Sequence, residues 1–231
     1  MKMIGMLGGM SWESTNTYYR AVNEGVKQAL GGLHSARVLL YSVDFAEIEA
    51  LQHQGDWDRL AEILIGAARS LEAGGADFLV ICTNTMHKVA PRIAQAVNIP
   101  ILHLADATAA SLKADSVTSV GLLGTRFTME ESFYRERLEA QGIRVVIPDV
   151  ADRQRVHEII YNELCRGVIK SGSRQAYLEV MERMVGEGAE AVILGCTEIG
   201  LLIHQADTVI PLYDTTLIHA QQAVVWALNQ S

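Results

Sequence analysis

Short, wholly apolar runs alternate along this chain with longer stretches in which apolar positions recur every three or four residues. That alternation predicts parallel strands buried on both faces, with helices covering the sheet. In the first half the strands fall at Met3–Leu7, Val38–Val43, Phe78–Cys82 and Ile101–His103. In the second half they fall at Val120–Leu123, Ile143–Ile147, Ala191–Leu194 and Val209–Leu212. Trp57, Leu60, Ile63, Leu64, Ala67, Ala68 and Leu71 mark one face of an amphipathic helix closed by Gly74-Gly75. Similar helical patterns run from Met129 to Gln141, from Val156 to Ile169 and from Arg174 to Glu187.

The pattern is written twice. Ile4-Gly5-Met6-Leu7-Gly8 returns as Val120-Gly121-Leu122-Leu123-Gly124, and Tyr18-Tyr19-Arg20 returns as Phe133-Tyr134-Arg135. The run from Gly75 to Asn84 aligns without a gap on that from Gly188 to Thr197, and Ile99-Pro100 on Ile210-Pro211. The three landmarks keep their order, at offsets of 116, 113 and 111 residues. The expected fold is therefore α/β, with two pseudo-symmetric doubly wound lobes, each a roughly four-stranded parallel sheet flanked by helices. Crossovers after Pro100 and Pro211 would send the helix from Asp214 to Asn229 back onto the first lobe. That assigns residues 1–98 and 214–231 to the first lobe and 99–213 to the second. Equivalent positions of a duplicated fold tend to face one another, so an active site is expected between the lobes. In this register Thr83 stands opposite Cys196.

Composition narrows the function. With 49% apolar and 20% charged residues and no low-complexity tract, the chain has the profile of a globular protein. A net charge of −8 opposes a phosphate backbone and provides no basic stripe, which argues against nucleic-acid binding. The opening Met1–Leu7 run is too short for a secretion signal or a membrane span, so a cytoplasmic protein without a membrane role is expected. Three widely spaced cysteines, Cys82, Cys165 and Cys196, fit neither a disulfide framework nor a zinc site, and no metal is expected.

Ligands of doubly wound sheets bind beyond the carboxyl ends of the strands. Three loops with small polar residues fall there. Gly8-Gly9-Met10-Ser11-Trp12 allows close backbone approach and presents amides at a helix start, although a bare turn reads equally well. It is neither a dinucleotide fingerprint nor a phosphate-binding loop of the Gly-Lys-Ser/Thr type. Thr83-Asn84-Thr85-Met86-His87 and Gly195-Cys196-Thr197-Glu198 are the other two. Cys196 should stand at a strand-to-helix turn, where a helix N-terminus favours thiolate able to exchange a proton near neutral pH. Strand alternation turns Cys82 away from Thr83, into the core, and Cys165 reads as a buried small hydrophobe. His87 reads either as a base or as a packing residue, and Glu198 either as a site residue or as a carboxylate suited to the helix dipole.

The Leu-Gly-Gly-Met-Ser-Trp-Glu-Ser-Thr opening at Leu7 to Thr15, the Asn-Thr-x-His loop at Asn84 to His87, and Gly195-Cys196-Thr197-Glu198 resemble the aspartate/glutamate racemase family over essentially the whole chain. The resemblance implies two pseudo-symmetric α/β lobes, a homodimer, an amino-acid substrate and no cofactor. It also implies that one cysteine thiolate removes the Cα proton while a second cysteine delivers one to the opposite face. This chain departs from the family where the first cysteine should stand, reading Thr83 in Cys-Asn-Thr-x-His. Carried over, Cys196 is the base toward an L amino acid and Thr83 the opposite-face donor. The two directions should then be unequal, with the L enantiomer preferred.

The substrate contacts expected are Met10, Ser11, Trp12, Gln52, Asn84, Thr85, Thr197 and Glu198. Among these, Ser11, Asn84, Thr85 and Thr197 would serve the α-carboxylate. Where some aspartate racemases carry a lysine for the distal carboxylate, Cys165-Arg166 stands here, and the expected loop from Asp44 to Gln54 offers Gln52 and no arginine. Strict aspartate specificity is therefore not expected, and glutamate, aspartate or a neutral homologue such as homoserine would fit. Two other classes compete: a cofactor-free relative of the arylmalonate decarboxylase or maleate isomerase type, and a two-lobed small-molecule binder.

Overall fold

A computed structural model describes residues 1–229. The chain forms two compact units, Met1–Leu104 together with the chain from His219 onward, and Ala105–Ile218. The first carries strands β1 (Ile4–Gly8), β2 (Val38–Ser42), β3 (Phe78–Ile81) and β4 (Ile101–Leu102). Its helices are α1 (Trp12–Leu30), α2 (Phe45–Gln54), α3 (Trp57–Ala73) and α4 (Ala90–Ala96), and α5 (Leu104–Ala114) leads out of it. The second unit carries β5 (Ser119–Gly124), β6 (Arg144–Val146), β7 (Ala191–Gly195) and β8 (Leu212–Asp214). Around them lie α6 (Arg126–Glu130), α7 (Ser132–Glu139), α8 (Val150–Asn162), α9 (Ser171–Gly186) and α10 (Ile199–Leu202), and α11 (Thr215–Leu228) leads back.

Both sheets are wholly parallel and share one topology, β2-β1-β3-β4 and β6-β5-β7-β8. Even the register repeats. Ile4 pairs with Phe78 in one and Val120 with Ala191 in the other, which are the positions matched in the sequence. Alternation along each strand feeds opposite faces of the first sheet. Leu79 and Ile81 enter a core with α3 and α4, whereas Phe78, Val80 and Cys82 enter one with Tyr18, Val22 and Val26 of α1 and Ala220, Ala223, Val224 and Ala227 of α11. Cys82 is thus a core residue, as its register predicts, and burial pushes its thiol well up from the ordinary range. Cys165 is partly buried, packed against the core of the second unit.

Several expected elements shift. Residues 44–54 are not a loop but α2, capped by the Asp44 carboxylate on the Ala46 amide and closed by Gly55 at φ 75°. The pattern from Met129 to Gln141 breaks at Glu131, whose extended backbone (ψ 151°) separates α6 from α7. The helix expected to reach Ile169 stops at Asn162, and a single tight turn over Leu164–Arg166 follows, ending in left-handed Gly167. The last strand begins only at Leu212, because Val209 lies fully in solvent and the Pro211 carbonyl takes the first rung from the Val192 amide.

The unit boundaries fall after Leu104 and after Ile218, where 98/99 and 213/214 were expected. Ile101 and Leu102 pair with β3 and so belong to the first sheet, whereas the Thr215 hydroxyl bonds the Leu194 carbonyl of the second. Gln230 and Ser231, counted in the expected first lobe, lie outside the described residues. Among the described residues no helix is long and apolar enough to cross a membrane.

Candidate active site

In the first unit, the expected residues gather where β1 and β3 end side by side. Gly9 turns the chain at φ 90°, and a side chain there would put its Cβ 2.3 Å from the Val43 carbonyl oxygen, so only glycine fits. Ser11 then caps α1 by accepting from the Ser14 amide. The Thr15 hydroxyl donates to the Ser11 carbonyl at 2.9 Å and accepts from the Gly9 amide at 2.8 Å. The Ser14 hydroxyl reaches the Cys82 carbonyl at 2.9 Å, which locks the start of α1 to the end of β3. Met10 and Ser11 are buried, whereas Trp12 is 66% exposed and lines a hollow of about 310 Å³ with Thr15, Tyr19 and Leu40. Gln52 is buried on α2.

Thr83 is half-buried just past β3, and Asn84, Thr85 and His87 behind it are buried in a tight helical turn over Thr85–Val89. His87 Nε2 accepts the Leu104 amide at 3.2 Å, which leaves the ring proton on Nδ1, donated to the Thr83 carbonyl at 2.8 Å. A histidine bonded on both nitrogens to backbone is a brace, not an available base, and of its two sequence readings the packing one fits this geometry. Two further imidazoles, absent from the sequence expectations, lie against it. His103 sits edge-on at 4.6 Å and His219 at 5.8 Å between ring centroids. His219 links the Tyr18 hydroxyl (2.8 Å) to the Leu102 carbonyl (2.8 Å), and burial holds its pKa down at about 3. His103 ended a predicted strand and could have been flagged by that place; His219 has no local signal in the chain.

In the second unit, Cys196 is the first residue beyond β7, the position matching Thr83 beyond β3. It is buried, and its thiol donates to Glu198 Oε2 at 3.0 Å, where the Thr197 hydroxyl also donates at 2.7 Å. The expectation of a stabilised thiolate is overturned. Burial, then the charge of Glu198, push the Cys196 thiol well above its ordinary range, and the helix that follows is a stub of four residues. What stands here is a thiol with a carboxylate acceptor already in contact. Glu198, placed among the substrate contacts by the sequence, has its nearer employment on Cys196 and Thr197. Arg166 sits at the end of the turn over Leu164–Arg166, and a larger hollow of about 680 Å³ between α8 and α9 contains none of the expected site residues. Among the described residues no group of three or more His, Cys, Asp or Glu could hold a metal ion.

The duplicated parallel scaffold recurs in solved structures. A Yersinia pestis protein assigned to the Asp/Glu racemases is 53% identical, matching 99% of this chain and 100% of its own at a TM-score of 0.93. An aspartate racemase homologue from Pyrococcus horikoshii is 34% identical over 99% of this chain and 100% of its own, with a TM-score of 0.87. A broad-specificity amino-acid racemase of Bacillus subtilis is 25% identical over 96% of each chain. The Asp/Glu/hydantoin racemase family model matches residues 7–223, and the chain belongs to that family.

Proposed function

We propose that the protein is an amino-acid racemase, an isomerase acting on aspartate, glutamate or a related amino acid, with Cys196 and Thr83 as its two proton-transfer groups. The observation that carries this reading is the 3.0 Å contact between the Cys196 thiol and Glu198, at the strand end equivalent to that of Thr83 in a member of a racemase family. Glu198 takes the thiol proton, and the thiolate removes the Cα proton of an L amino acid. The electron pair left on Cα is held by the α-carboxylate, for which Ser11, Asn84, Thr85 and Thr197 are the proposed partners. Thr83 delivers its hydroxyl proton to the other face, and its alkoxide is reprotonated by water, while Glu198 gives up its proton to solvent and Cys196, reprotonated from Cα, is a thiol again.

A hydroxyl is a far weaker acid than a thiol, so the enzyme form that begins from the D enantiomer is scarce. The enantiomers are equally stable, so kcat/KM must agree in the two directions. The inequality therefore falls on kcat and KM separately. With Arg166 where a lysine would suit a β-carboxylate and Gln52 neutral, the reading favours broad specificity over aspartate alone. The test incubates each enantiomer of several amino acids in heavy water. Cα deuteration and inversion from L, with a higher kcat than from D, is the expected result. Equal kcat values for the two enantiomers would remove the Thr83 assignment. No exchange with any amino acid, together with carbon dioxide release from malonates, would replace the reading by a decarboxylase that uses the single thiol as donor.

A further inference from the structure

We propose that His87 is a positioning residue for Thr83, fixing the direction of its hydroxyl by holding its backbone. The argument begins with the tautomer. The Leu104 amide can only donate, so Nε2 of His87 accepts and the proton sits on Nδ1, aimed at the Thr83 carbonyl. The ring spans from the end of β3 to the first residue of α5, and it is wedged against His103 and His219. His219 in turn ties Leu102 to Tyr18, so the residues on both sides of His103 carry an imidazole bond. The turn after β3 runs over Thr85–Val89, and its third residue, His87, reaches back across it to the Thr83 carbonyl. Pinning the Thr83 carbonyl sets the plane of the Thr83–Asn84 peptide. A β-branched side chain on a fixed backbone has few rotamers, so the hydroxyl direction is set with it.

The proposal rests on the reading of Thr83 as a proton-transfer group, and two amide substitutions separate it from a general role in stability. In His87→Asn the amide nitrogen stands near the place of Nδ1 and can still donate to Thr83. In His87→Gln the amide group reaches instead to the place of Nε2, keeping the Leu104 bond and losing the Thr83 one. Expected for His87→Gln is a kcat for inversion about tenfold to hundredfold down with KM within about twofold, the size of effect that a slight misplacement produces. Exchange of the L substrate's Cα proton through Cys196 should persist in that variant. His87→Asn should recover most of the lost kcat.

Equal losses in the two variants, or exchange falling in step with inversion, would overturn the proposal. The wild-type imidazole provides an independent check by nitrogen NMR at neutral pH. A neutral ring protonated at Nδ1 is expected, and an Nε2–H ring or an imidazolium would overturn the tie even if neither variant folds. A wild type that neither exchanges nor inverts any amino acid removes the racemase reading, and the positioning role with it, whatever the NMR spectrum contains.

Discussion

The end of β3 and the end of β7 occupy one place in two copies of a fold, yet they carry opposite chemistry. Beyond β7 a buried thiol rests on a carboxylate. Beyond β3 a hydroxyl-bearing residue is backed by three imidazoles, one of them kept neutral by burial down to about pH 3. A duplicated backbone thus reproduces position without reproducing acidity. Acidity is decided first by whether a thiol or a far weaker hydroxyl stands past the strand and then by what packs behind it, and both differ between the copies.

Substitutions at the two ends should separate them. The largest effect is expected for Cys196→Ala, which removes the group proposed to abstract the proton. Exchange and inversion from the L enantiomer should both fall by roughly 10³ to 10⁴, as loss of a general acid–base group does. Thr83→Ala should behave differently. Inversion should fall by about 10² or more, whereas L-side exchange stays within about tenfold of wild type, because Cys196 can still remove and return a proton on its own face. If both activities vanish together in Thr83→Ala, the division of labour between the two ends is wrong.

Glu198→Gln tests the carboxylate under the thiol. The negative charge holds the Cys196 proton on, so a neutral amide should let the thiolate appear at lower pH. Turnover should nevertheless drop about tenfold to hundredfold, because the proton acceptor is gone. Ultraviolet thiolate absorbance against pH, read beside kcat, separates these two outcomes.

The smallest effect concerns stability. His219 takes up no proton in the folded protein until about pH 3, whereas unfolded it does so near its ordinary 6.5. The unfolded state therefore binds more protons across that window. Stability is full above about pH 6.5 and falls as pH drops toward 3, by at most about 1.4 kcal/mol per pH unit. All three tryptophans, Trp12, Trp57 and Trp226, lie in the unit that contains the imidazoles, so tryptophan fluorescence reports that unit. Acid titration of the wild type against His219→Gln should give a flatter dependence in the variant.

The strands and their duplication were legible because strands buried on both faces are continuous apolar runs, and the repeated register is a local property of those runs. The breaks were not. Glu131 interrupts a helical pattern through backbone conformation alone, and Val209 is apolar but solvent-exposed, which no periodicity reveals. At the candidate site, the equivalent placement of Thr83 and Cys196 past their strands was legible by register, since register needs only neighbours in sequence. The acidity of Cys196 was misread because a four-residue helix contributes little dipole while Glu198 folds back onto the thiol. His219 escaped notice because its partners, Tyr18 and Leu102, stand far away along the chain.

The first sheet is finished by the last helix. Ala220, Ala223, Val224 and Ala227 of α11 complete the core around Ile4, Met6 and Phe78, and the Ala227 carbonyl accepts the Lys2 amide at 2.8 Å. The two units therefore close at different points of the sequence. Residues 105–218 are complete at Ile218, while the strands that precede them still lack their closing helix. A chain truncated after Ile218 should protect Cys196 from thiol reagents while leaving Cys82 open to them, and restoring the residues from His219 onward should close the second thiol as well.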